Sequence, residues 1–264
     1  MIVGVISGSG TERWPGMEAG ERRIHDGPYG SAEVTVGQIE GVEVVHVSRH
    51  GPGHHHLSNH VNHRANLAAL IDGGVNAVVS LTVCGAARPE LLLGSVVVFD
   101  DLYFPSNRLP DGSLCTWHDT PGQAGRGHWI FDQPFDASLR TVMVETGRRA
   151  GVEMIDGGCY GHVDGPRFNT RSEINALAAA GVTALSQTAG PEVVLAGEAG
   201  LPLVLVGYLT DYANGIGAAS EPVAALLARV KASTDILATL VNSSLSAIDP
   251  LQATAAGTFH RVGP

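Results

Sequence analysis

Strand-length apolar runs alternate with helix-periodic segments along almost the whole chain, and no other feature limits the possible folds as sharply. The runs lie at residues 2–7, 42–47, 77–81, 95–99, 152–160, 182–186 and 203–209. Several hold almost no polar residue, as strands buried on both faces do, whereas a strand with one wet face would alternate. Helical patterns fill the gaps at 61–71, 137–150, 171–180, 191–199 and 222–245. Asn59, Asp136, Thr170 and Ser220 precede four of them, and Pro191 opens the remaining one. Gly73, Gly151, Gly181 and Gly200 follow four of the helices, where a left-handed residue ends the last turn. Strands alternating with helices predict an α/β fold, a single domain over residues 1–264 with a mostly parallel sheet and helices on both faces.

The chain is long and apolar enough to close one such core, with 264 residues of which 44% are hydrophobic. Sixteen Lys and Arg against 26 Asp and Glu give a net charge of −10. That balance argues against a nucleic-acid surface and against a basic membrane-binding face, so any phosphate must be held locally. Cys84, Cys115 and Cys159 show no CxxC spacing and cannot all pair within one chain, which fits a reducing compartment; the expected location is the cytoplasm. The first residues lack a basic leader region, and no apolar stretch nears the roughly 20 residues a span requires.

The segment 100–133 breaks the alternation. It holds Pro105, Pro110, Pro121, four Gly and the aromatics Tyr103, Phe104, Trp117 and Trp129. A stretch this long without regular structure inside a compact domain is usually functional, and it is read as an active-site and subunit-contact loop. A C-terminal helix is expected from about 221, with fraying from Gln252 onward.

Chemistry gathers at the strand ends. Gly8-Ser9-Gly10 follows the first run, where small residues let backbone N–H groups and the Ser9 hydroxyl approach an anion, although an ordinary turn explains the same glycines. Arg49-His50-Gly51 puts a fork-shaped permanent cation at a strand's carboxyl end, where open α/β sheets collect ligands. Thr82-Val83-Cys84-Gly85 offers a hydroxyl and tight backbone, and Cys84 also suits a small buried thiol. Thr170 with Glu173 reads as a capping box, which leaves Phe168 with an aromatic face for a pocket wall. Seven histidines cluster at 46, 50, 54, 55, 56, 60 and 63, and the spacing of His56, His60 and His63 is one a zinc site can use. No carboxylate or cysteine completes an obvious ligand set, so no metal is expected.

These motifs, with Gly165-Pro166-Arg167-Phe168, the Ser-Gln-Thr-Ala-Gly-Pro-Glu run beginning at Ser186, and Thr210-Asp211-Tyr212, stand in an order and spacing that resemble the trimeric purine nucleoside phosphorylase family, nearest to its 5'-methylthioadenosine phosphorylase branch. The resemblance implies a single domain with a mixed, mostly parallel sheet and the phosphorolysis of a purine nucleoside, 5'-methylthioadenosine or a related 5'-modified adenosine. Inorganic phosphate would be the co-substrate, with no other cofactor. Ser9, Arg49, His50, Thr82 and Thr188 would bind it, beside the acid Glu192. Val83, Cys84, Phe168, Asn169 and Gln187 would contact the nucleoside. Departure of a purine builds negative charge on its imidazole, so Asp211, protonated or otherwise donating at N7, would be the catalytic residue. The resemblance also implies a homotrimer in which His128 reaches a neighbour's pocket.

Three positions depart from the pattern. Gln187 stands where the family usually has Met, Asp164 where it usually has Glu, and Ala213 where 6-aminopurine enzymes commonly carry a second Asp, with Asn214 beside it. Ala213 keeps open an alternative substrate class, 5'-methylthioinosine or another 6-oxopurine nucleoside. A nucleosidase using water, and a non-catalytic nucleoside-binding protein, are the rival classes.

Overall fold

The structure, a computed structural model, describes residues 1–11, 13–217 and 222–262; Ser220, expected before the last helix, and the expected helix start at about 221 lie outside them. The strands are β1 (Ile2–Ser7), β2 (Glu21–Gly27), β3 (Gly30–Ile39), β4 (Val42–Ser48), β5 (Ala77–Ala86), β6 (Val96–Val98), β7 (Asp101–Tyr103), β8 (Gly127–Phe131), β9 (Met154–Asp156), β10 (Cys159–His162), β11 (Val182–Ser186), β12 (Leu203–Tyr212) and β13 (Gly257–Arg261). The helices are α1 (His63–Asp72), α2 (Ala137–Arg149), α3 (Arg171–Ala179), α4 (Ala189–Glu198) and α5 (Val223–Ser244).

One sheet runs in the order β2-β3-β4-β1-β5-β11-β10-β7, while β12 pairs with β5 and β6, and β6 with β9. The pairs β1–β4, β1–β5, β5–β12, β10–β11, β7–β10 and β6–β9 are parallel, and the remainder of this sheet is antiparallel. The mixed, mostly parallel arrangement agrees with the sequence reading. Alternation along the buried strands divides the core between two faces, since successive side chains point to opposite sides. Val3, Val5, Val79, Leu81, Val204 and Val206 pack with Leu139 and Met143 of α2 and Leu237 and Leu240 of α5. Val78, Cys84, Leu205 and Leu209 pack with Leu67 and Leu70 of α1 and Val193 and Leu195 of α4.

Several local expectations need correction. The 152–160 run is two strands, β9 and β10, broken at Gly157 and Gly158, whose φ angles of 94° and 132° suit glycine. Asn62 rather than Asn59 caps α1, accepting the Ala65 N–H, and the left-handed residue after it is Gly74 rather than Gly73. Helix α4 begins at Ala189, two residues before Pro191. The capping box of Thr170 and Glu173 forms as read. The hairpin β2–β3 escapes the apolar-run criterion because β2, Glu-Arg-Arg-Ile-His-Asp-Gly, is a largely exposed edge strand. Segment 100–133 is not wholly irregular, since it contains β7 and β8. The tail beyond Gln252 is held as β13, which pairs antiparallel with β8.

Candidate active site

The parallel topology brings the carboxyl ends of β1, β4, β5 and β12 to one edge. At its far end β5 pairs antiparallel with β11, through Gly85 and Leu185, which carries Ser186 back to Thr82. A cavity of about 350 Å³ opens there. Ser9, Arg49, His50, Thr82 and Thr188 all line it, as do Val83, Cys84, Phe168, Asn169, Gln187 and Asp211. His128 does not. It lies on β8 opposite His260, and within one chain no residue of 100–133 lines the cavity.

Arg49 is the most constrained of these groups. Its backbone N–H bonds the Ser7 carbonyl, which sets the β4 end beside Gly8. Its guanidinium, 2% exposed, donates through Nε and Nη2 to the two oxygens of Glu192, through Nη1 to the Leu81 carbonyl at 3.0 Å, and through Nη2 to Ser80 Oγ at 3.2 Å. A Cβ on Gly8 would fall 2.8 Å from Nη1, so only glycine lets the loop lie against this cation. Burial alone would raise the pKa of Glu192, but the Arg49 charge and hydrogen bonds, with His63 at 3.6 Å, hold it well below the usual carboxylate range. The cation at the strand end therefore enters the site already paired with an acid. Arg49 and Glu192 cancel, and the corner offers an incoming anion N–H and O–H donors rather than net positive charge.

Other donors have equally specific assignments. His50 Nδ1 lies 2.8 Å from the His56 carbonyl, which only accepts, so Nδ1 carries the proton and Nε2 keeps its lone pair. Burial, then Arg49, pushes the His50 pKa down to about 3. A neutral His50 can thus accept a proton from a phosphate hydroxyl or a sugar hydroxyl. At the α4 N-terminus the Ala189 N–H goes to Tyr160 Oη and the Gly190 N–H to His162 Nδ1. The Thr188 hydroxyl makes no capping bond, and Thr188 lines the cavity.

The opposite end of the cavity is shaped by a bulge. In the β12–β5 register Leu209 faces Cys84 and Asp211 faces Gly85, leaving Thr210 as the extra residue. Such an insertion re-aims the next side chain, and here it turns Asp211 inward. Thr210 Oγ1 donates to Asp211 Oδ1 at 2.7 Å, and Asp211 Oδ2 would stand 3.6 Å from a Cβ on Gly85. Asn214 lines the cavity, but its Nδ2 donates to the Asn169 carbonyl at 2.7 Å. Gln187 is similarly engaged, accepting from Ser58 Oγ at 2.8 Å and donating to the Arg167 carbonyl at 2.9 Å. Its amide joins the histidine-rich loop to the 165–168 turn. Leu226 and Val230 of α5 add an apolar wall that sequence reading did not single out.

Among the described residues no group of three or more His, Cys, Asp or Glu side chains could hold a metal ion. The histidines instead divide between surface and core. Burial pushes His46 down to about 4 and His162 to about 3, and lowers His63 as well as His50. In the unfolded chain a histidine binds its proton near 6.5, so between that value and the depressed ones the unfolded state holds more protons. Stability is then complete above about pH 6.5 and falls as pH drops through that window, by up to about 1.4 kcal/mol per pH unit for each histidine. Urea midpoints measured from about pH 7.5 to 4.5 should decline from just below 6.5. A profile flat to about pH 5 would contradict neutral burial.

The sequence pattern of the Phosphorylase superfamily matches residues 2–246. An S-methyl-5'-thioadenosine phosphorylase of Drosophila melanogaster is 33% identical over 214 residues, 80% of this chain and 73% of the fly protein. A probable 6-oxopurine nucleoside phosphorylase of Moorella thermoacetica is 36% identical over 219 residues, 82% of this chain and 81% of its own. Among solved structures, methylthioadenosine phosphorylase from Schistosoma mansoni in complex with adenine superimposes with a TM-score of 0.84 at 25% identity, covering 94% of this chain and 92% of the other.

Proposed function

The chain belongs to the Phosphorylase superfamily, and from that premise we propose how its cavity works. It catalyses the phosphorolysis of purine nucleosides, releasing free base and sugar 1-phosphate. The observation that carries this reading is one cavity holding Ser9, Arg49, His50, Thr82 and Thr188 together with Asp211 on the bulge of β12. Phosphate, the co-substrate, binds the hydroxyls of Ser9, Thr82 and Thr188 and the remaining N–H of Arg49 Nη1, and attacks the anomeric carbon. Asp211 donates toward N7 as negative charge builds on the departing purine. Most of the rate comes from holding two reactants in line and stabilising an oxocarbenium-like sugar between them. No covalent intermediate and no metal or organic cofactor is needed.

The substrate is 5'-methylthioadenosine or a related 5'-modified adenosine, for which Leu226 and Val230 supply an apolar wall beside the 5' position. A second reading, 5'-methylthioinosine or another 6-oxopurine nucleoside, is favoured by Ala213, which leaves Asp211 without a second acid. The enzyme works in the cytoplasm in purine salvage, as a homotrimer in which His128 completes a neighbour's pocket. No helix among the described residues is long and apolar enough to cross a membrane.

A nucleoside panel with and without inorganic phosphate, assayed for base and sugar 1-phosphate, tests the reaction. Phosphate-dependent release of both products is expected. Release of base without phosphate would make the protein a nucleosidase, and binding without turnover would leave it non-catalytic.

A further inference from the structure

Behind the cavity wall Tyr160 of β10 is fully buried, its ring edge-on to Phe99 with centroids 5.3 Å apart. Its hydroxyl lies 3.1 Å from the Ala189 N–H and 2.6 Å from Ser186 Oγ, and Ser186 Oγ lies 2.8 Å from Thr82 Oγ1. Three hydroxyls and one amide thus form a chain running from the α4 N-terminus to the cavity, which Ser186 and Thr82 both line.

Each hydroxyl has one proton, and that sets the order of the chain. The Ala189 N–H can only donate, so the Tyr160 oxygen accepts it. Among the described residues Ser186 is the remaining partner for the Tyr160 proton, which a buried hydroxyl must place somewhere. Ser186 accepts it and passes its own proton to Thr82 Oγ1. Thr82 is left as the terminal donor, and in the structure it reaches the Val83 carbonyl at 3.2 Å, a partner on the same wall. In the reverse order Thr82 would give its proton to Ser186 and turn lone pairs toward an anion. The helix amide at the far end favours the forward order, because its donor is fixed by backbone geometry and sits at the positive end of the helix dipole. Burial also raises the Tyr160 pKa, which keeps that hydroxyl a donor.

We propose that Tyr160 and Ser186 are positioning residues that orient the Thr82 hydroxyl as a donor to the phosphate co-substrate, an inference that rests on the phosphorolysis reading above. Tyr160 itself touches neither substrate. Its action on phosphate passes through two other hydroxyls.

Tyr160→Phe preserves the packed ring and removes the proton that orders the chain. The KM for inorganic phosphate should rise about three- to ten-fold, the equivalent of one neutral hydrogen bond, while the nucleoside KM stays within about two-fold. Coupling separates positioning from packing. In a Thr82→Val background, Tyr160→Phe should add nothing to the phosphate KM, whereas independent effects would multiply. Ser186→Ala provides a second variant if Tyr160→Phe fails to fold. For each variant the upward shift of the unfolding temperature by inorganic phosphate, read without turnover, should shrink alongside the KM effect. A parent enzyme that needs phosphate and a Tyr160→Phe variant with an unchanged phosphate KM would overturn the relay. A parent enzyme indifferent to phosphate would instead overturn the reaction itself, and the relay with it.

Discussion

Arg49→Ala is expected to lower the free energy of unfolding by about 3–5 kcal/mol, far more than the loss of a surface arginine, because it strands the Glu192 carboxylate inside the protein. Arg49 and Glu192 are 2% and 1% exposed. Without the guanidinium, Glu192 keeps, among the described residues, Ser80 Oγ at 2.6 Å and His63 at 3.6 Å. The same substitution should raise the phosphate requirement through loss of a charge-assisted donor, an effect of roughly 1.5–3 kcal/mol. The two effects separate in a double variant. Arg49→Met with Glu192→Gln removes both charges together, so it should regain much of the stability while the phosphate KM stays high. Urea unfolding of the parent, the single and the double variant checks the first effect, and phosphate titration at saturating nucleoside checks the second. A single variant as stable as the parent would mean that the buried pair does not hold this corner together.

Asp211→Asn should move preference from adenosine-type toward inosine-type nucleosides. A carboxyl at this position accepts from an exocyclic 6-amino group or, when protonated, donates to N7, whereas an amide suits a 6-oxopurine better. An unpaired buried polar group costs about 1–3 kcal/mol, so the specificity ratio should shift by roughly five-fold to a hundred-fold. The structure sharpens the expectation. Asp211 Oδ1 accepts the Thr210 hydroxyl, and Oδ2 lies 3.6 Å from where a Cβ on Gly85 would stand, at the cavity wall. Asn214, beside Ala213, also lines the cavity, with one amide N–H bonded to the Asn169 carbonyl. The ratio of kcat/KM for 5'-methylthioadenosine and 5'-methylthioinosine, measured in both proteins, decides the matter; equal ratios mean that Asp211 does not read the base.

Much of this site could be read in the chain because parallel sheets place their ligand-facing residues at strand ends, and strand ends are local features of a sequence. Gly8-Ser9, Arg49-His50, Thr82-Val83-Cys84 and Asp211 each terminate an apolar run or follow it directly, and all of them line one cavity. Leu226 and Val230 escaped notice because their helical spacing is the same as that of core positions. Strands β2, β3, β7, β8 and β13 fall outside the apolar runs for a related reason, since short or partly exposed strands lack a continuous apolar run.

By itself the sequence determined the alternation of strands and helices, the two-faced core, and which residue types stand at the sheet edge, because each follows from neighbours a few positions apart. Tertiary structure alone decided what those residues are free to do. Arg49 meets Glu192 across 143 positions, Ser58 meets Gln187 across 129, and Thr82 meets Ser186 across 104. Burial removes water as an alternative partner, so a buried polar group must bond whatever the fold places within reach, and that choice is not written in local pattern. It makes the permanent cation at the strand end half of a neutral pair and Tyr160, unremarked in its strand, the far end of a chain of hydroxyls.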